Sequence, residues 1–211
     1  MTTREPDVAD ARLAPADGVG TSNPEGNARL TGTLGAVIFV LLFAEGLTIL
    51  RVQGHISWHV FIGVLLIPFA LAKVGTTSWR IARYYTGDRA YVRKGPPPLV
   101  LRLLGPFVSV LTLAVLGTGV AAVLDRHARG IAFAHKATFI LWFGAMTIHV
   151  LGHILETPAL VAADWRRTRR AGAPGAGRRL ALVALLGAIA IPLAILSLQW
   201  AHHWQRVSRL G

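Results

Sequence analysis

The chain contains no cysteine among its 211 residues. This absence excludes disulfide bonds, cysteine-ligated iron–sulfur clusters, zinc sites built on thiolates and covalently attached c-type haem. Histidine is therefore the main metal-ligating residue type, and the chain has eight histidines. We expect any bound metal or cofactor to be held by some of these side chains.

Charged residues are also scarce. They make up 15% of the chain, against about 25% in a typical soluble domain, while hydrophobic residues make up 53%. The charges gather in the N-terminal region and in the connections between long apolar runs, which are nearly free of charge. Such runs are typical of helices that cross a lipid bilayer, so the expected fold class is an all-α integral membrane protein.

Five apolar runs each have the length of about 20 residues that a bilayer-crossing helix needs. They predict spans one to five at about residues 31–50, 57–74, 99–124, 131–155 and 180–200. Short connections favour antiparallel neighbours, with spans one to four forming a bundle. The transmembrane domain is thus expected to cover residues 30–205, followed by a C-terminal tail at 206–211.

The segments outside these spans are polar or basic. Residues 1–29 are rich in Asp, Ala, Gly, Pro, Asn and Thr, so they are predicted to be disordered. A basic loop with the sequence WRIARYYTGDRAYVRKGPPP is expected between spans two and three, and Pro158 is expected to close span four.

Basic residues are divided unequally between the two sides of the predicted membrane domain. Fifteen Lys and Arg residues belong to the side of the N-terminus, six belong to the other side, and Lys73 lies within span two. Because cytoplasmic connections carry the excess of positive charge, we expect the N-terminus in the cytoplasm and the C-terminus outside the plasma (inner) membrane. This topology accounts for the formal charge of +12, so the expected partner is the lipid bilayer and not nucleic acid.

Ionisable residues within spans are costly, and each is therefore a candidate functional residue. They are Glu45 in span one, His59 and Lys73 in span two, and His135, His149 and His153 in span four. His135 and His149 are 14 residues apart, which places them on nearly one helix face with a rise of roughly 21 Å. His59 and Lys73 have the same spacing in a span that runs in the same direction. His59 should therefore lie level with His135, and Lys73 with His149.

The level pair His59 and His135 could hold a haem between facing helices through two neutral imidazoles. Gly63 lies one turn from His59, where the missing side chain would let a flat macrocycle approach the backbone. Lys73 and His149 provide only one imidazole between them, so this pair does not offer a second site of the same kind.

Other roles remain open for these residues. His59 and His135 could meet water near the outer interface, and His149 could hydrogen-bond to Ser or Thr of another helix. Lys73 could extend its ammonium group to the cytoplasmic surface. Glu45 could pair with Arg51 or a neighbouring helix, or handle protons or quinone.

A different metal site is also conceivable at the end of span four. The segment HVLGHILE places His149, His153 and Glu156 at positions i, i+4 and i+7, on one helix face. These residue types can bind a non-haem metal ion.

Three segments, SWHVFIGVLLIP, WRIARYYTGD and HKATFILWFGAMTIHVLGHILE, resemble the bacterial membrane b-type cytochromes of the cytochrome b/b6 and b561-like superfamily, in particular small actinobacterial members. They cover spans two to four, about half of the chain. The resemblance implies a helical bundle that binds one or two b haems and passes electrons between quinone and a partner dehydrogenase or reductase. His59, His135 and His149 stand at the matching positions, whereas Lys73 departs from the two-haem pattern.

The leading interpretation is a membrane electron-transfer subunit that holds at least one b-type haem iron between spans two and four. It would exchange electrons with quinone or a partner oxidoreductase, and it would not be a complete enzyme. The alternative is a haem-free membrane scaffold, accessory subunit or small-solute permease. In that case Glu45, Lys73 and His149 would form a polar path or join helices.

Overall fold

The structure, a computed structural model, describes residues 23–96, 99–125, 129–154, 157–165 and 175–208. An apolar chain in hydrocarbon forms helices because every backbone N–H and C=O must be hydrogen-bonded within the chain. In the described residues the helices are α1 (Pro24–Ile49), α2 (Val52–Tyr85), α3 (Arg89–Lys94), α4 (Leu99–Leu124), α5 (Arg129–His153), α6 (Thr157–Trp165) and α7 (Ala176–Ser208).

Five of these helices are long and apolar enough to cross a membrane. Their spanning parts, in the order of predicted spans one to five, are Pro24–Ile49, Gly54–Tyr85, Leu99–Leu124, Gly130–His153 and Ala176–Ala201. Large apolar side chains cover the outer surface, among them Phe133 and Leu99 with exposed fractions of 73% and 68%. The predicted fold class, an all-α integral membrane protein with five transmembrane helices, is confirmed.

The first helix begins earlier than the apolar run that predicted it. It starts at Pro24, and the Asn23 side chain accepts a hydrogen bond of 2.8 Å from the backbone N–H of Gly26. Asn at the N-cap followed by Pro in the first turn is a favourable helix start. The prediction of disorder is therefore wrong for residues 24–29, while residues 1–22 lie outside the described part of the chain.

The second helix likewise runs beyond its apolar stretch and ends at Tyr85. The first seven residues of the predicted basic loop, 79–85, are therefore helical. The chain then turns sharply through Gly87, whose φ is 80°, and Asp88 caps α3 by accepting from the N–H groups of Ala90 and Tyr91. Arg83 pairs with Asp88 at 3.1 Å, which ties the end of α2 to this corner.

Two more boundaries differ from the sequence prediction. Helix α5 ends at His153, and Pro158 lies in the first turn of α6 instead of closing span four. Helix α7 continues to Ser208, so residues 206–208 of the predicted tail are helical, while residues 209–211 lie outside the described part.

The helices pack in two groups with a cleft between them. Helix α2 packs extensively against α1 and α7, and the buried core there consists of Leu34, Ile38, Leu66, Phe69 and Ala190. Helices α4 and α5 form the second group, which meets the first where α4 contacts α2. Beyond α5, the short helix α6 packs on α1. A cleft of about 2260 Å³ is lined mostly by residues of α1, α2, α4 and α5, with smaller contributions from α3, α6 and α7, so the first four spans supply most of its wall.

Candidate functional site

The cleft collects the ionisable residues that the sequence placed within spans. Its lining is mainly apolar and includes Glu45, His59, Gly63, Lys73, His135, His149 and His153. Pockets of this composition, apolar with a few convergent polar groups, are the usual form of cofactor sites. The cleft is therefore the candidate functional site.

His59 and His135 face each other across the cleft. Their ring centres are 6.3 Å apart, and the ring planes are inclined by 71°. His59 belongs to α2 and His135 to α5, helices that do not follow each other in the chain. The expected level placement of these two histidines is thus present in the structure.

A carboxylate orients the ring of His59. Oε1 of Glu45 lies 2.9 Å from Nδ1 of His59, and the Thr48 hydroxyl lies 3.1 Å from the same nitrogen. Because a carboxylate accepts hydrogen bonds, Nδ1 carries the hydrogen, and in the neutral ring Nε2 would then keep its lone pair. Of the partners considered for Glu45 from the sequence, the neighbouring helix is the one found.

A backbone carbonyl orients the ring of His135 in the same way. Nδ1 of His135 lies 3.0 Å from the carbonyl oxygen of Val115 in α4, and the Thr118 hydroxyl is 3.3 Å away. The carbonyl can only accept, so Nδ1 again carries the hydrogen, and in the neutral ring Nε2 would keep its lone pair. The ring fits here because position 119 is glycine: a Cβ on Gly119 would lie 3.0 Å from Cε1 of His135.

Val115, Thr118 and Gly119 were missed by the sequence reasoning, which placed no site residue on span three. The available signal was a cluster of small and hydroxyl residues, LGTGV, within an otherwise bulky apolar run. Small residues allow close helix approach in membranes, and α4 and α5 do pack closely.

The spacing of the two imidazoles can be compared with that of histidines that share a metal ion. Two rings that bind one metal ion from opposite sides, through bonds of about 2.1 Å, have centres about 6.5 Å apart. The observed separation is 6.3 Å, and each Nδ1–H is fixed by an acceptor, as is usual for metal-binding histidines. No group of three or more His, Asp or Glu side chains suited to a metal ion occurs in the described residues. A haem, whose porphyrin supplies most of the iron ligands, would need only two such side chains, and His59 and His135 would be those two.

Gly63 lies beside the Glu45 carboxylate. A Cβ at this position would be 3.5 Å from Oε1 of Glu45, which is an ordinary contact distance. The second oxygen of Glu45, Oε2, is buried and has no hydrogen-bond partner in the described structure.

Lys73 reaches across to the first helix. Its ammonium nitrogen donates to the carbonyl oxygen of Thr31 at 3.1 Å, and a Cβ on Gly35 would lie 3.0 Å from that nitrogen. The side chain therefore does more than extend to the membrane surface, because it links α2 to α1. Nearby, the side chain of Asn27 donates to the carbonyl oxygen of Thr76 at 3.2 Å and makes a second such link.

His149 lies on the cleft beside His153, with ring centres 4.9 Å apart. Nδ1 of His149 is buried and has no hydrogen-bond partner among the described residues, so the suggested bond to Ser or Thr is not made by this nitrogen. Lys73 also lines the cleft, while its level placement with His149 stays a prediction from the sequence. Glu156, the third member of the suggested non-haem cluster, lies outside the described residues.

No protein-family model matches the chain, nor does any curated protein or solved structure. The resemblance to b-type cytochromes therefore stays a prediction from the sequence.

Proposed function

We propose that the protein is a membrane electron-transfer subunit that holds one b-type haem between His59 of α2 and His135 of α5. The single observation that carries this proposal is the pair of rings with centres 6.3 Å apart, each with its Nδ1 at an acceptor. Two such imidazoles on facing helices are the ligand set of a low-spin haem iron. Periodicity predicts a lysine, Lys73, and not a histidine opposite His149, so a second haem is not part of the proposal.

When bound, haem supplies one-electron chemistry that no side chain of this protein provides. The chain's own residues bind and tune it. His59 and His135 present Nε2 lone pairs, while Glu45 fixes the tautomer of His59 and adds negative charge close to the ligand. A carboxylate bonded to a ligating histidine makes that histidine more basic, which favours the oxidised state of the metal. The apolar walls limit the access of water.

The proposed electron partners are quinone or a partner oxidoreductase. The cleft supports a lipid-soluble partner, since it is lined largely by apolar side chains and lies between membrane-spanning helices. We place the protein in the plasma membrane with its N-terminus in the cytoplasm. The excess of Lys and Arg on the side of the N-terminus supports this orientation.

The test is a reduced-minus-oxidised absorbance spectrum of the full chain, purified in mild detergent from haem-sufficient cells. We expect the α-band of a b-type cytochrome in the wild type and its loss in the His59→Ala and His135→Ala variants. His55→Ala is the matched control, because His55 is exposed and its ring contacts only the carbonyl of Arg51 in the described structure.

Two results would contradict the proposal. A wild-type protein without the band would favour the haem-free scaffold or permease. A band that persists in both single variants would show that other residues bind the iron.

A further inference from the structure

The end of the cleft away from His59 carries cations without a matching carboxylate. Lys73 and Arg80 are seven residues apart on α2, which places them on one helix face, and both line the cleft. Glu45 is the single acidic residue in the described lining, and it contacts His59 instead. Lys94 also lines the cleft, but it is neutralised by Glu25 at 3.0 Å.

Two like charges beside an apolar cleft are unfavourable unless an anion compensates them. The Lys73 ammonium has three N–H donors, and the one acceptor found for it is the carbonyl of Thr31. No carboxylate of the described residues pairs with Arg80.

We propose that Lys73 and Arg80 bind the phosphate of an anionic phospholipid whose acyl chains lie along the apolar wall of the cleft. Basic pockets between transmembrane helices bind such head groups, and this site would be reached directly from the bilayer. The 14 residues of helix between His59 and Lys73 correspond to a rise of roughly 21 Å. The lipid site is therefore separate from the proposed haem site and does not depend on it.

The experiment uses the full-length protein, purified in mild detergent and delipidated. Phosphatidylglycerol and phosphatidylcholine with identical acyl chains are titrated into it, and bound lipid is counted by native mass spectrometry. We expect phosphatidylglycerol to bind at least tenfold more tightly. Equal binding of the two lipids would overturn the proposal.

Two competition measurements distinguish a phospholipid from a free phosphate and from another anionic lipid. Inorganic phosphate alone should not displace phosphatidylglycerol at millimolar concentration, because it lacks the apolar chains; displacement would overturn the role of the lipid. Oleate should compete at least tenfold more weakly than phosphatidylglycerol. Competition at equal concentration would overturn the assignment to a phosphate.

Charge-removing variants locate the site. Arg80→Gln and Lys73→Met should each weaken the binding of phosphatidylglycerol about fivefold, the usual effect of one cation near an anionic lipid surface. Arg80 is exposed, so its variant should fold even if loss of the Lys73–Thr31 bond harms the other. Arg93→Gln is the control, since Arg93 is an exposed cation of α3 outside the cleft lining. An equal loss of phosphatidylglycerol affinity in Arg80→Gln and Arg93→Gln would overturn the lipid proposal. This result does not depend on whether the wild type shows the absorbance band of a haem.

Discussion

The Glu45 carboxylate meets the His59 ring across the tight turn between α1 and α2, with 2.9 Å between Oε1 and Nδ1. The two helices are joined by only Leu50 and Arg51, so this contact is made within a helical hairpin. Oε2 of the same carboxylate is buried without a partner in the described structure. A half-satisfied buried carboxylate is a poor stabilising element, which points to a role in positioning the histidine.

We predict that Glu45→Gln separates stability from cofactor binding. The amide removes a buried charge, so the thermal midpoint should stay equal or rise, while haem affinity should fall about 10- to 100-fold, as for other partners of metal-binding histidines. Haem titration of the apoprotein and thermal unfolding give the two values. Glu25→Gln is the control, because Glu25 pairs with Lys94 away from His59. A haem affinity that stays at the wild-type value would remove Glu45 from the site.

The second prediction concerns the glycine beside His135. In Gly119→Ala the new methyl group would lie 3.0 Å from Cε1 of His135 and push the ring away from the Val115 carbonyl. We expect a loss of about tenfold in haem affinity, measured from haem content at limiting haem. Gly117→Ala on the same helix meets nothing within 4 Å and should retain full haem content. Equal haem content in both variants would contradict the close approach at Gly119.

The third prediction concerns the packing of α4 against α5. The buried indole N–H of Trp142 donates to the Thr112 hydroxyl at 2.9 Å. Thr112→Val keeps the shape but leaves this donor without an acceptor, so the free energy of unfolding should fall by about 1 kcal/mol. Unfolding in mixed micelles measures the change. Thr147→Val should have little effect, because the Thr147 hydroxyl is exposed and bonds within its own helix. A similar fall in the free energy of unfolding in both variants would mean that the hydrogen bond from the Trp142 indole does not stabilise the packing of α4 against α5.

The fourth prediction tests the core shared by α1, α2 and α7. Leu34 is fully buried there, so Leu34→Ala should leave a cavity and lower the free energy of unfolding by about 2 kcal/mol or more. Leu185 of α7 is 55% exposed to the surroundings, and Leu185→Ala should cost far less. The same mixed-micelle unfolding compares the two. If Leu185→Ala lowered the free energy of unfolding more than Leu34→Ala, the assignment of buried and lipid-facing sides of these helices would be wrong.

The spans could be predicted from the sequence because hydropathy reports which segments can face lipid. It does not report where helical hydrogen bonding stops, which explains the errors at residues 24–29 and in the segment up to Tyr85. The start at Pro24 was readable from Asn23, a favoured N-cap residue before proline. The end of α2 could not be read from the sequence, since it depends on the pairing of Arg83 with Asp88.

Helical periodicity was sufficient to bring His59 level with His135, because both belong to long, nearly regular helices. Their partners could not be derived in this way. The contact of His135 with Val115 depends on how closely α4 approaches α5, and that distance depends on Gly119. Helical periodicity determines which residues share a face of one helix. A contact between residues of two helices also depends on how closely the helices pack.

The division of the helices into two groups has a consequence for the lifetime of the protein. Helices α4 and α5 share no part of the core of α1, α2 and α7, and the cleft separates the two groups over much of their length. A molecule that fills the cleft binds the folded arrangement and not the unfolded chain, so it stabilises the whole protein by mass action. Cells short of that molecule would hold a less stable protein, more readily removed by membrane proteases, and its abundance would follow the supply of its ligand.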